Sequence, residues 1–459
     1  MRFTRVFRHP IAALSAAITL LATPALLFAH ARLVRSSPAA NASLDSAPTS
    51  IGLWFSERPE PRFTTIQLLD SVGAAIQLGA PTSIAQNGLS LSIGRALAPG
   101  LYSIVWRTAA SDGHPTNGRF SFRVVGSQRP APAPAGPSTT PGVTVAPVVP
   151  GAAASAPTMQ AAPTSAPDRW GELIALLLVI GATVFTLAVL PKAAMPDDAS
   201  RDVAVSTRRV AMGAIVLFFV TTIVRVVLQS RLVPGAGSTI GAVMEVVRDT
   251  RWGHGWLTGA TGAVIVLLGL IAAARSARGW FVVAFGVVLM CVSEALTGHA
   301  AALRNTALSI ATDVTHVLGA GTWIGTLAIM VVVALPVLGR MNASDASRAG
   351  SSLTRAYHTA AVDGVILVVL SGVIAAFLRL PAFNALWTTD YGSWLFRKLV
   401  FVLIALAFGA YHWRRVVTPD WTNATLRRFA RSALAELVVG IVIVALTSML
   451  ISTQLPSTQ

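Results

Sequence analysis

The chain divides by the spacing of its apolar positions. From Trp170 onward it carries eight apolar stretches, near 171–191, 210–230, 256–274, 279–298, 309–337, 359–379, 394–413 and 433–452. Each is long enough to span a bilayer as a helix, which predicts an all-α polytopic membrane bundle of about eight helices. Before them the period changes. Ile51-Gly52-Leu53-Trp54-Phe55-Ser56 and Leu101-Tyr102-Ser103-Ile104-Val105-Trp106 are short and rich in β-formers, and Arg119-Phe120-Ser121-Phe122-Arg123-Val124 alternates strictly, as a half-buried strand does. Turn signals fall between them at Ser36-Ser37-Pro38, Gln86-Asn87-Gly88, Ala98-Pro99-Gly100 and Asp112-Gly113-His114-Pro115. The pattern predicts a small all-β sandwich or barrel of roughly 95 residues. Residues 126–168 are nearly all Pro, Ala, Ser, Thr, Gly and Val. Such a segment has too little to bury, and it is expected to be a disordered linker.

The first 29 residues fit a secretory signal peptide. Arg2, Arg5 and Arg8 form a basic start, Ile11 to Leu21 an apolar core, and Ala29 the small residue before the cut. Leu27 fits the small-x-small rule poorly, and the alternative is an uncleaved anchor helix. The expected organisation is therefore a signal peptide over 1–29, a β-domain over 30–125, a linker over 126–168, a membrane domain over 169–453 and a tail over 454–459.

Composition agrees with the membrane reading. The chain is 54% hydrophobic and 12% charged, too apolar for a soluble protein. Its formal net charge of +16 raises nucleic-acid binding, which the distribution of that charge argues against. With the β-domain outside, the loops on the inner side hold fourteen Lys and Arg residues against five on the outer side. This is the positive-inside pattern, with an even number of spans. Arg397 and Lys398, near the outer end of the seventh span, run against it; they are expected to snorkel or to face a cavity. The single cysteine, Cys291, forms no intramolecular disulfide.

Two groups of residues carry candidate chemistry. Cleavage after Ala29 frees the α-amine of His30 beside its imidazole, and the two can chelate one metal ion. Asp112 and His114 share a face if their segment is extended. With His30 they offer three nitrogens and one oxygen, a set that suits Cu(II); Glu57 would add a carboxylate. Taken alone, Asp-Gly-His-Pro is more often an ordinary turn. In the membrane half, ionisable side chains are costly and so are functional candidates. An outer layer holds His254, Glu294, His299, Asp313 and His316, and an inner layer holds His358, Asp363, His412 and Glu436. Arg225 has no partner evident from sequence. The competing explanation is that histidines at helix ends simply sit among the headgroups. His412 in particular fits it.

The start at His30-Ala31-Arg32-Leu33-Val34, with Phe55-Ser56-Glu57, Gly100-Leu101-Tyr102, Val105-Trp106-Arg107 and Ser111-Asp112-Gly113-His114-Pro115-Thr116-Asn117-Gly118, resembles the CopC periplasmic copper-binding proteins. The resemblance implies an Ig-like or cupredoxin-like sandwich binding Cu(II) through His30, Asp112 and His114, with Glu57 near. Some members carry a methionine-rich loop for Cu(I), whereas residues 30–125 contain no methionine. The membrane half resembles the CopD copper-resistance proteins at Leu296-Thr297-Gly298-His299-Ala300, at Asp313-Val314-Thr315-His316 through Trp323-Ile324-Gly325, and at Phe396-Arg397-Lys398-Leu399. Together they imply a non-enzymatic protein of the bacterial inner membrane. It would capture Cu(II) in the periplasm and move copper, of a valence the sequence leaves open, inward along the membrane residues. The copper ion, the bilayer and other periplasmic copper proteins are its expected partners, and nucleic acid is not. A haem-containing or copper-reducing redox protein, with His358 and His412 as axial ligands, and a non-transporting copper donor are the alternatives. No Gly-x-x-x-x-Gly-Lys-Ser/Thr phosphate loop is present to couple nucleotide hydrolysis.

Overall fold

The computed structural model describes residues 33–126 apart from 56–57, 61–62 and 110–114, and residues 166–453 apart from 232, 234–237, 299, 301–305, 381 and 417–422. The signal peptide, nearly all of the linker and the tail lie outside these residues.

Among the described residues, nine strands build the N-terminal part: β1 (Leu33–Ser37), β2 (Ser43–Leu44), β3 (Ser50–Phe55), β4 (Thr65–Leu69), β5 (Ala75–Ile76), β6 (Thr82–Ile84), β7 (Gly88–Ser92), β8 (Gly100–Ala109) and β9 (Pro115–Val124). They form a four-stranded sheet in the order β1-β3-β7-β6 and a five-stranded sheet in the order β2-β9-β8-β4-β5. Ile51, Leu53, Phe55 and Leu89 of the first pack on Leu68, Tyr102, Ile104, Trp106, Phe122 and Val124 of the second, making a sandwich core. The alternation in β9 does what its period demands: Phe122 and Val124 are buried while Arg119 and Arg123 are exposed. Gln86 and Asn87 both take positive φ, near 60°, in the turn from β6 to β7, where such left-handed residues close hairpins. Ser36 and Ser37 prove to be strand residues of β1, paired to Leu53 and Gly52, rather than a turn. Ladder pairing outweighed a short Ser-Ser-Pro signal.

The membrane part comprises α1 (Ala166–Val184), α2 (Asp197–Ser230), α3 (Thr239–Asp249), α4 (Arg251–Ala272), α5 (Gly279–Leu296), α6 (Thr306–Ala320), α7 (Thr326–Ile329), α8 (Leu335–Leu338), α9 (Ala343–Arg379), α10 (Ala385–Thr388), α11 (Asp390–Val416) and α12 (Asn423–Ser452). Two π-helical turns, Gly321–Gly325 and Met330–Ala334, join α6, α7 and α8 into one continuous span. Among the described residues, eight helical runs are long and apolar enough to cross a membrane, from Arg169–Lys192 to Thr425–Ile451. They coincide with the eight stretches anticipated from sequence.

Hydrocarbon gives no hydrophobic drive between helices, so close packing of small residues has to supply contact. Gly181 of α1 lies against the backbone of Gly325, and Gly319 against that of Gly364 in α9. Gly262 and Gly286 bring α4 and α5 together in the same way. The opposite faces stay apolar and exposed, as at Val216, Val220, Phe281, Phe285 and Leu403, which suits contact with lipid chains.

Candidate functional site

Of the four residues predicted to hold copper outside the membrane, His30, Glu57, Asp112 and His114 all lie outside the described residues. The strand ends that flank them are described, and they converge. Leu33, the first residue of β1, pairs with Phe55, the last of β3. The Phe55 ring meets Trp106 of β8 edge-on, with centroids 5.2 Å apart. Trp106 pairs with Gly118, and the β8–β9 ladder closes at Ala109 and Pro115. The chain therefore leaves the sandwich next to all four positions at the same end. A hydrogen bond from Glu60 N to Ala109 O, at 2.9 Å, ties the stretch after Glu57 to that end as well.

In the bundle the outer layer is dominated by arginines. Glu294, at the end of α5, accepts from Arg169 Nη1 at 3.0 Å, and its other oxygen lies 3.7 Å from Arg225 Nη1. Arg225, apparently partnerless in sequence, also donates to Glu172 Oε2 at 2.9 Å and to Thr297 Oγ1 at 2.9 Å. All four charged side chains are buried. A buried charge is tolerable only when paired and hydrogen-bonded, and here each carboxylate is met by a guanidinium. Arg169 and Glu172 escaped the sequence reading because they adjoin the polar end of the linker; their i,i+3 spacing at the head of a span was the available signal.

Asp313 of α6 is held by Arg379 Nη2, 2.5 Å from Oδ1 and 2.6 Å from Oδ2. One turn further in, His316 Nδ1 contacts Ser371 Oγ at 3.0 Å. The i,i+3 pair shares a face as expected, yet its members meet different partners on α9. Lys398 of α11 lies near enough to Arg379, Asp313 and His316 to act on their charges. It thus faces the bundle, while its neighbour Arg397 stacks over Trp394 at 4.6 Å. His254 is exposed at the head of α4, its Nε2 3.0 Å from the Arg248 carbonyl. His299 lies outside the described residues.

The inner layer centres on one buried pair, His412 Nδ1 and Glu436 Oε2, 3.0 Å apart. His412 Nε2 meets Ser432 Oγ at 2.8 Å, so both ring nitrogens are engaged. Trp323 Nε1, from the first π-helical turn, donates to Glu436 Oε1 at 3.1 Å. His412 is thus buried in the bundle rather than set among headgroups. His358 stands within electrostatic reach of it. Asp363 is exposed on α9. Among the described residues no three His, Cys, Asp or Glu side chains gather closely enough to hold a metal ion. Among the described residues the bundle offers pairs along its depth rather than one closed cage.

Family models match three parts of the chain. The CopC domain model matches residues 33–125, the model for the copper resistance protein D-like N-terminal domain matches 166–309, and that for copper resistance protein D matches 351–450. The copper transport protein CutJ of Bacillus subtilis is 26% identical over 455 residues, which cover 95% of this chain and 75% of CutJ. Protein YobA of Escherichia coli K12 is 34% identical over 122 residues, 26% of this chain and 95% of YobA. Among solved structures, CopC from Methylosinus trichosporium OB3b is 30% identical and covers 22% of this chain and all of that one, with a TM-score of 0.21.

Proposed function

Because the chain belongs to the copper-resistance family, with CopC and CopD domains in one polypeptide, we propose that it captures Cu(II) on the periplasmic side of the bacterial inner membrane and moves copper inward through the bundle. The observation that carries this reading is the alignment of 95% of this chain, both halves together, with a protein named for copper transport. Copper is the cargo. The outer site is formed by the His30 amine and ring, Asp112 and His114, with Glu57 beside them, after removal of residues 1–29. Supporting it, the described strand ends beside all four positions meet at one end of the sandwich.

Within the bundle, the route runs from His254, His299 and His316 toward His358 and His412. Along it Glu294 and Asp313 are balanced by arginines, Glu436 faces His412, and Asp363 lies at its margin. Single histidines spaced along the depth suit passage, because a full cage would hold the ion rather than release it. The periplasmic location, the inward direction and the domain boundaries at 29, 125, 168 and 453 are parts of the same proposal.

The capture step has a direct test. Cu(II) titration of the mature full-length protein in detergent is expected to lose affinity strongly on His30→Ala or on chemical blocking of the mature amine. An unchanged affinity in both would refute the chelate.

A further inference from the structure

Glu60, Phe63 and Thr64, between Glu57 and β4, carry none of the copper motif, yet this is where the β-domain meets the bundle. Its local structure is fixed to the sandwich. Glu60 N donates to Ala109 O, and Thr64 Oγ1 donates to Glu60 O at 2.8 Å and meets Thr108 Oγ1 at 2.7 Å. Phe63 and Ala109 are almost fully buried, at 3% and 1% exposure, but not in the sandwich core. They join a separate apolar cluster with Val226 of α2, Val233 from the connection after it, Ala242 and Val246 of α3, and Trp252 of α4. Glu60 Oε2 also accepts from the backbone N of Arg251, the first residue of α4, at 3.4 Å. Burial raises the Glu60 carboxyl above its usual range, against the lowering effect of Arg251, Arg58 and His254 nearby.

The receiving surface is built for this. α3 has only eleven residues, about 16 Å of helix and too short to cross a membrane. Ser238 caps it by accepting from Gly241 N, and Thr250 caps α4 by accepting from Gly253 N. Gly253 lies against the backbone of Val246 and Val247, where a Cβ would collide. The two helices are thereby held at a fixed corner, with Val246 and Trp252 turned to Phe63. Beneath, the Trp252 ring lies 5.3 Å from the Arg225 guanidinium, which holds Glu172 and Glu294.

We infer that the β-domain docks on the outer end of the bundle, at α3 and the head of α4, through Glu60, Phe63 and Ala109. The docked end is the one where the strand ends beside the four outer copper positions converge, so the seat turns that end toward His254 and the buried arginine–glutamate network. Its meaning as a hand-over surface rests on the transport reading. The docking does not need copper, and it is tested with copper chelated away.

The full chain in membrane vesicles is given a cysteine pair, Glu60→Cys with Arg251→Cys, and treated with a short bismaleimide; the native Cys291 is fully buried and stays in place. The control pair is Val72→Cys with Arg251→Cys. Val72 is 86% exposed in the turn after β4, which runs away from the docked end. Docking predicts efficient intramolecular cross-linking of the first pair and little of the second. Adding Phe63→Asp, outside the sandwich core, is expected to bring the first pair down to the control level without changing the thermal transition of the β-domain. Equal cross-linking of the two pairs, or a first pair indifferent to Phe63→Asp, would overturn the inference.

Discussion

Glu294 shows what a single acidic side chain costs at the buried end of α5. It sits between Arg169 and Arg225 with Thr297 closing the guanidinium side. Removing one partner of a buried ion pair leaves an unpaired charge and costs about 3–5 kcal/mol. Glu294→Ala is therefore expected to lower the thermal stability of the detergent-solubilised protein by that order. Adding Arg169→Met should recover part of the loss, since one orphaned charge goes with it. A single-variant loss below ~1 kcal/mol would mean that the arginines find other partners. The cost of charge in a membrane marks Glu294, Asp313, His316, His412 and Glu436 in the sequence, but not which side chains they meet. Arg379 lies 66 residues from Asp313, and Ser371 lies 55 from His316; nothing local marks such pairs. His412 was misjudged as interfacial because Tyr411, Trp413 and two arginines flank it. Only the packing of α12 brings Glu436 and Ser432 to its ring.

Helices were legible wherever an apolar run met the bilayer length, and less so elsewhere. α9 begins at Ala343, well before its apolar stretch, because Asn342 caps it by accepting from Asp345 N. The short helix α3 carries no span-length signal and falls in what reads as an outer loop. The π-helical turns of the fifth span are also invisible in sequence, though the glycines in Gly319-Ala320-Gly321-Thr322-Trp323-Ile324-Gly325 mark the place. Those glycines let α1 and α9 approach the span closely, while Gly440 of α12 lies against Ile324, beside the Trp323 bond to Glu436. Gly325→Ala puts a methyl group into the backbone of α1, and overpacking of that kind costs about 1–3 kcal/mol. Gly213→Ala meets open space on α2 and should stabilise by about 0.5–1 kcal/mol. Thermal unfolding of the two variants side by side separates close packing from helix propensity; equal shifts would contradict it.

For the molecule as a whole, the two-part architecture follows from a change of period, from two residues in β9 to helical runs beyond Trp170. The motifs around His30 and Asp112 carry the resemblance to the copper-binding family, while the membrane half identifies itself mainly by length and polarity. Neither gives a direction, because layers of histidine and carboxylate are compatible with flow either way. Docking of the sandwich on α3 and α4 joins the halves without any motif to announce it. Everything proposed for the bundle requires that copper pass through it. Uptake of radiolabelled copper into liposomes containing the full-length protein, compared with protein-free liposomes, measures it. Copper is expected to accumulate with the wild-type chain and to stay at the protein-free level with an equally well reconstituted His316→Ala variant. No accumulation by the wild type above empty liposomes, or undiminished accumulation by the variant, would contradict the account.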